Sequence, residues 1–169
     1  MRHNFFIVLF AMLASGCAMQ KFIEPPPMAH PSRLFPAEAF VTQRAVLTVH
    51  GRQFALNGYI AKSETRGLRL IVAENFGGVL ADVLVKPDGE IFVLKVGPPF
   101  RRKWVKNFVA ADLKAIFEEN AKTDGSVRML DEAHFVIEHS GYELDLRTVE
   151  VKSGPQPAEM FEAAGGGEP

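Results

Sequence analysis

The chain has 169 residues, a formal net charge of −1 and one cysteine. This length suits one domain with a core of its own, and a single cysteine excludes an internal disulfide. The close balance of 19 basic and 20 acidic residues argues against a nucleic-acid partner.

The N-terminus has the three-part layout of a secretory signal peptide. Arg2 precedes an apolar run from Phe5 to Leu13, and small residues follow at positions 14–16. The run is much shorter than the roughly 20 residues that a membrane-spanning helix needs. We therefore expect residues 1–16 to be a signal peptide that is removed at export.

The signal leads directly into Cys17, and the sequence MLASGC resembles the lipobox of bacterial lipoproteins. The resemblance implies lipidation of Cys17. Because Ala18 stands where Asp would retain the protein in the inner membrane, it also implies anchoring at the periplasmic face of the outer membrane. The alternative is an incidental cysteine at the end of an ordinary signal peptide.

Two flanking segments have compositions that are typical of tethers. Residues 18–39 contain five prolines and no sustained period, so we expect 17–39 to be the lipidated cysteine and an extended tether. Residues 153–169 are rich in Gly, Pro, Ala and Glu, which predicts a disordered tail. The folded domain is then expected over residues 40–152.

Alternation of apolar and polar residues dominates the first half of this domain. It predicts five strands in a meander: AVLTV (45–49), RQFALNGYIAK (52–62), GLRLIVAE (67–74), GVLADVLVK (78–86) and EIFVLKV (90–96). His50-Gly51 and the KPDG sequence are turn signals. The last two strands are apolar on both faces, so something must cover each side of the sheet.

The spacing of the apolar residues changes at residue 101. Apolar residues recur at three- and four-residue steps in RRKWVKNFVAADLKAIFEEN, which predicts an amphipathic helix over 101–120. Asp112 interrupts the apolar stripe, and we expect its carboxylate to reach solvent at the stripe's edge. Two strands at 133–139 and 142–151, joined by Ser140-Gly141, complete an α+β fold. In it a curved antiparallel sheet of about seven or more strands packs against the helix.

No arrangement of residues predicts catalysis, so we expect neither an enzyme nor a cofactor. His134 and His139 are five apart on a strand, point to opposite faces and cannot jointly bind a metal. A hydrolase that uses His139 and Ser140 would require both side chains at one pocket.

The layout of lipobox, Pro-rich tether, meander and helix resembles the LolA/LolB-type carriers and receptors of bacterial lipoproteins, and in particular uncharacterised outer-membrane lipoproteins related to them. The similar stretch includes GLRLIVAENFGGVLADVLVKPDGEIFVLKVGPPF. The resemblance implies an unclosed β-barrel with a helix lid and a greasy cavity for acyl chains. The expected lining residues are Phe54, Leu56, Leu68, Leu70, Phe92, Leu94, Phe108, Leu113 and Phe117.

Aromatic and basic residues mark a second candidate surface, one that suits the headgroup zone of an anionic membrane or a protein partner. The expected contact residues are Phe76, Phe100, Arg101, Arg102 and Trp104. The alternative is a solvated helix start with Trp104 packed inward.

The sequence thus predicts a lipid-anchored cell-envelope protein that binds an acyl chain, lipid or lipoprotein. Its partners would be the membrane, that ligand and an envelope protein. The alternative is a non-enzymatic structural or interaction module with a filled core, tethered to the outer membrane.

Overall fold

Eight strands form the body of the protein, seen in a computed structural model that describes residues 30–118, 121 and 123–162. Their bounds are β1 Glu38–Val49, β2 Arg52–Ser63, β3 Gly67–Glu74, β4 Val79–Val85, β5 Ile91–Val96, β6 Ser126–Asp131, β7 His134–Glu138 and β8 Tyr142–Ser153. They make one antiparallel sheet in the order β5-β4-β3-β2-β1-β8-β7-β6. The sheet is open, with β5 and β6 at its edges, so the predicted fold class is confirmed.

One helix, α1, connects the two edge strands and packs on the inner face of the sheet. It begins with a helical turn at Arg102–Trp104, continues as a π-helical segment at Val105–Val109 and ends as the α-helix Ala110–Phe117. The main core lies between α1 and alternate residues of the strands, such as Val41, Ile60 and Val83. Among the described residues, no helix is long and apolar enough to cross a membrane.

Two short turns agree with the predicted hairpins. His50 and Gly51 have φ angles of 49° and 75°, and both values are in the left-handed region that tight two-residue hairpins use. At the β7–β8 turn, the His139 amide donates to the Tyr142 carbonyl at 2.9 Å.

The folded body begins earlier than predicted. Residues Pro31–Leu34 form a 3₁₀ turn, and Phe35 is buried against Phe117, with ring centroids 4.5 Å apart. The tether prediction is therefore wrong for residues 31–39, because Phe35 and Ala39 belong to the main core and fix this segment on the folded body. Cys17 and the signal peptide lie outside the described residues.

The tail prediction is also wrong over its first part. Ser153 still belongs to β8, and Ala158–Phe161 form a 3₁₀ turn in which Phe161 is only 2% exposed. Phe161 packs on the outer face of the sheet with Ala61 and Leu84. We call residues 156–161 the strap; residues 163–169 lie outside the described part of the chain.

Candidate functional site

A small apolar cavity of about 70 Å³ lies between the sheet and α1. Apolar side chains from the strands form its floor and sides, and α1 forms its roof. A water molecule needs about 10–15 Å³ of such space, so this cavity has room for a short hydrocarbon segment. Its lining residues include Ala45, Leu47, Leu56, Leu70, Val72, Val109, Leu113, Ile116, Phe117, Leu144 and Leu146.

Gly58 in β2 forms part of the cavity floor because it has no side chain there. Its neighbours along the inner face, Leu56 and Ile60, are both buried. A Cβ added at Gly58 would meet its nearest atoms at 3.7 Å, which is ordinary van der Waals contact. The strand pairs continuously with β1 and β3 through this position, so Gly58 does not interrupt the sheet.

A larger recess of about 740 Å³, the vestibule, adjoins the cavity and opens to solvent. This volume lies within the roughly 300–1,000 Å³ of typical ligand pockets. Its rim comes from the β1–β2 turn, the β5–α1 connection and the β7–β8 turn. Both spaces are lined by Leu47, Phe100, Trp104 and Tyr142.

Stacked rings form the boundary between the two spaces, and we call them the aromatic wall: Phe100, Trp104, Phe108, His139 and Tyr142. Trp104 stacks on Phe100 at 5.2 Å and meets Tyr142 edge-on at 5.4 Å. The Tyr142 ring in turn stacks on His139 at 4.3 Å. The wall joins the helix start to the β7–β8 hairpin.

A buried carboxylate stands behind this wall. Asp112 is 3% exposed, and three side chains donate to it: the Tyr142 hydroxyl at 2.7 Å, His139 Nε2 at 2.9 Å and the Thr123 hydroxyl at 3.2 Å. Burial raises the pKa of Asp112, and the donors from Tyr142, His139 and Thr123 oppose that shift. Burial, together with the Asp112 charge, raises the pKa of Tyr142, so its hydroxyl remains a donor.

The expectation that Asp112 would reach solvent is wrong. Its spacing from Val105, Val109 and Ile116 places it on the inward side of α1, and that spacing was visible in the sequence. What the sequence did not show is that partners 27 and 30 residues away supply the hydrogen bonds that make burial possible. A polar residue within an apolar stripe is the signal for such a cluster.

The structure brings together six of the nine predicted lining residues. Leu56, Leu70, Leu113 and Phe117 line the cavity, and the other two, Phe54 and Phe108, line the vestibule.

The other three predictions are wrong. Leu68 is packed in the main core. Phe92 and Leu94 lie on the outer face beside the strap, because Val93 is the inward residue of β5. A strand that is apolar on both faces does not reveal which set faces inward.

The predicted contact residues divide into two groups. Phe76, at the β3–β4 turn, is 99% exposed, and Arg101 and Arg102 are exposed at the start of α1. Phe100 and Trp104 are half-buried in the aromatic wall, so Trp104 packs inward while the cations face solvent.

The histidines lie in separate environments. His134 contacts Asp145 at 3.0 Å, whereas His139 contacts Asp112. His139 and Ser140 both line the vestibule, as a hydrolase would require, but no hydrogen bond joins them among the described residues. Within the same residues, no group of three or more His, Cys, Asp or Glu side chains could hold a metal ion.

Comparison of the chain with protein-family models and with curated proteins finds no match.

Proposed function

We propose that this protein is a lipid-anchored cell-envelope protein that holds the hydrocarbon chain of an acyl group, lipid or lipoprotein. The hydrocarbon chain enters through the vestibule, and its end lies in the cavity under α1. The observation that carries the proposal is the cavity over Gly58, where a side chain is missing between apolar walls. Apolar cavities of this kind stay dry and accept apolar molecules.

The surroundings of the vestibule support an orientation toward a membrane. Strand pairing places Phe76 at the same end of the sheet as the vestibule, where Arg101 and Arg102 are also exposed. An exposed aromatic ring and cations at one end of a protein suit the interface of an anionic bilayer. The proposed address is the periplasmic face of the outer membrane, through lipid on Cys17, in a role like that of the LolA/LolB-type proteins.

The test uses the fragment 18–169, which retains every described element. A fluorescent fatty acid is bound to it, palmitate is added as competitor, and native mass spectrometry counts bound lipid. Gly58→Val places two methyl groups toward the cavity without a backbone clash, and it should weaken binding about tenfold or more. Ala55→Val adds the same groups on the exposed face of β2 and should leave affinity unchanged.

Equal affinities of the native fragment and Gly58→Val would contradict the proposal, provided that both have the same circular dichroism. An interaction module with a filled core would bind no probe at all. In that case a single envelope protein recovered in pull-downs would support the alternative function.

A further inference from the structure

The polar groups of the cavity wall are already engaged. Gln43 Nε2 donates to the Thr148 hydroxyl at 3.4 Å, and Tyr142 donates to Asp112. No buried side-chain nitrogen or oxygen among the described residues lacks a partner. The cavity therefore offers a ligand only hydrocarbon contact, and any polar headgroup must remain in the vestibule.

His139 supplies a polar atom in the vestibule, where such a headgroup would lie. Its side chain is 5% exposed and lines the vestibule. Because Asp112 accepts from Nε2, that nitrogen carries a proton, and Nδ1 is the free site of the ring. Within the described part of the chain, Nδ1 has no hydrogen-bond partner, and because no buried nitrogen there lacks one, Nδ1 is at the accessible edge of the ring. A neutral ring accepts a hydrogen bond at Nδ1 from a carboxylic acid or a phosphate hydroxyl, whereas a doubly protonated ring donates one from Nδ1 to a carboxylate or phosphate oxygen.

Arg101 and the start of α1 are the positive features of the vestibule. Arg101 lines it, and Asp124 is the one acidic residue among the lining side chains that the structure describes. Arg101 immediately precedes α1, whose first turn contains no acidic residue. The positive end of the helix dipole therefore adds to the field of Arg101, and this end of the vestibule is the place for an anion.

We propose that the vestibule binds the anionic headgroup, a carboxylate or phosphate, of an amphiphile whose hydrocarbon chain extends into the cavity. Arg101 supplies the charge and His139 Nδ1 the hydrogen bond. This inference rests on the proposed function, because it names the class of ligand for the same cavity.

The experiment compares three palmitoyl ligands on the fragment 18–169: palmitate, 1-palmitoyl lysophosphatidate and uncharged monopalmitoylglycerol. The two anions should bind about tenfold more tightly than the neutral ligand. Arg101→Ala should remove most of this preference, so that the three ligands bind with similar affinities. Lys103→Ala removes an exposed cation from the same turn, outside the vestibule lining, and should leave the preference intact.

His139→Gln tests the second contact with little disturbance of the fold. The Gln amide nitrogen can replace Nε2 as the donor to Asp112, whereas nothing replaces Nδ1. The variant should lose about threefold to tenfold in affinity for the anions only. Should this variant unfold, Arg101→Ala still tests the inference, because Arg101 is exposed.

The outcomes distinguish failure of the headgroup inference from failure of the proposed hydrocarbon binding. Tighter binding of palmitate than of lysophosphatidate identifies a carboxylate head, and the reverse order a phosphate head; both support the inference. Equal affinity for all three ligands overturns the inference but leaves hydrocarbon binding in place. Binding of none of them overturns the proposed function as well.

Discussion

Asp112 connects the helix to the β7–β8 hairpin through side chains alone. Its oxygens accept from Tyr142 and His139, which both belong to the aromatic wall, and from Thr123 in the connection that follows α1. Charge-assisted hydrogen bonds of this kind are stronger than neutral ones. The cluster therefore holds the boundary between cavity and vestibule in one geometry.

We predict that Tyr142→Phe lowers the free energy of unfolding by about 1–3 kcal/mol, because it leaves a buried carboxylate oxygen without its donor. Urea denaturation of the fragment 18–169 measures this change. Tyr59→Phe is the matched control, since Tyr59 is 37% exposed on the other face of the sheet. A loss equal to that of the control would show that the hydroxyl contributes nothing.

The pH dependence of stability should carry the signature of Asp112. Because burial raises its pKa in the folded state, the stability that it contributes is complete below the unfolded pKa of about 3.9. That contribution is lost as pH rises through the folded pKa. The difference in unfolding free energy between the native fragment and Asp112→Asn should therefore fall as pH is raised from about 4. A difference that increases with pH would mean that the donors outweigh burial.

For single residues, the sequence predicted which face of an element a side chain occupies better than it predicted which distant residues surround that side chain. Periodicity, which depends on near neighbours in the chain, placed Leu56, Leu70 and Leu113 on the inward faces of their elements, whereas a cavity there was only what the family resemblance implied. The environment of Asp112 depends on His139 and Tyr142, whose distance in sequence hides their contact. Gly58 contributes to the cavity through the side chain that it lacks, and a strand pattern of apolar and polar residues does not predict such a contribution.

Among the elements, the strap has the largest effect on the outer face of the sheet. The Phe161 ring fills a small apolar cluster, and its carbonyl accepts from Lys86 Nζ at 2.8 Å. Arg69 Nη1 donates to the Met160 carbonyl at 3.0 Å, while Nη2 of the same residue donates to Asp82 Oδ2 at 2.8 Å. The strap thus covers the apolar outer residues of β4 and β5 that the sequence had shown to need covering.

Phe161→Ala should lower the free energy of unfolding by about 2–3 kcal/mol, since a fully buried Phe side chain contributes about that much. Thermal or urea unfolding measures the loss. Glu162→Ala, the exposed neighbour, should change stability by less than about 0.5 kcal/mol. If both variants unfold like the native protein, the strap does not contribute to the fold in solution.

The elements show where sequence patterns stop being informative. The meander and the helix were predictable because alternation and three- to four-residue spacing are local signals. The sequence did not predict the strap as a folded segment, because the composition of the strap indicates no hydrophobic core. The strap packs instead against residues 61 and 84, which are far away in the chain. The same applies to Phe35, which a Pro-rich context assigned to a tether.

For the whole molecule, the two ends of the sheet differ in character. Strand pairing places the vestibule rim and Phe76 at one end of the sheet, as shown by the pairs Val49↔Tyr142, Leu56↔Glu74 and Ala81↔Val96. Glu38↔Ser63 lies at the other end, close to Phe35. The 12 residues of β1 separate these ends by about 40 Å at 3.3 Å per residue. A lipid anchor at Cys17 would therefore join the body at the end remote from the vestibule.

We predict that tether length decides whether the anchored protein can load from its own membrane. The 13 residue steps from Cys17 to His30 reach at most about 45 Å, just enough to pass the body. Deletion of residues 18–27 leaves about 10 Å, so uptake of a fluorescent acyl lipid from the host vesicle should stop. A ten-residue Gly-Ser replacement should restore it, and the soluble fragment's palmitate affinity should be the same in all three forms. Unchanged uptake by the deletion variant would contradict the prediction, because the vestibule would then reach the anchoring membrane without a long tether.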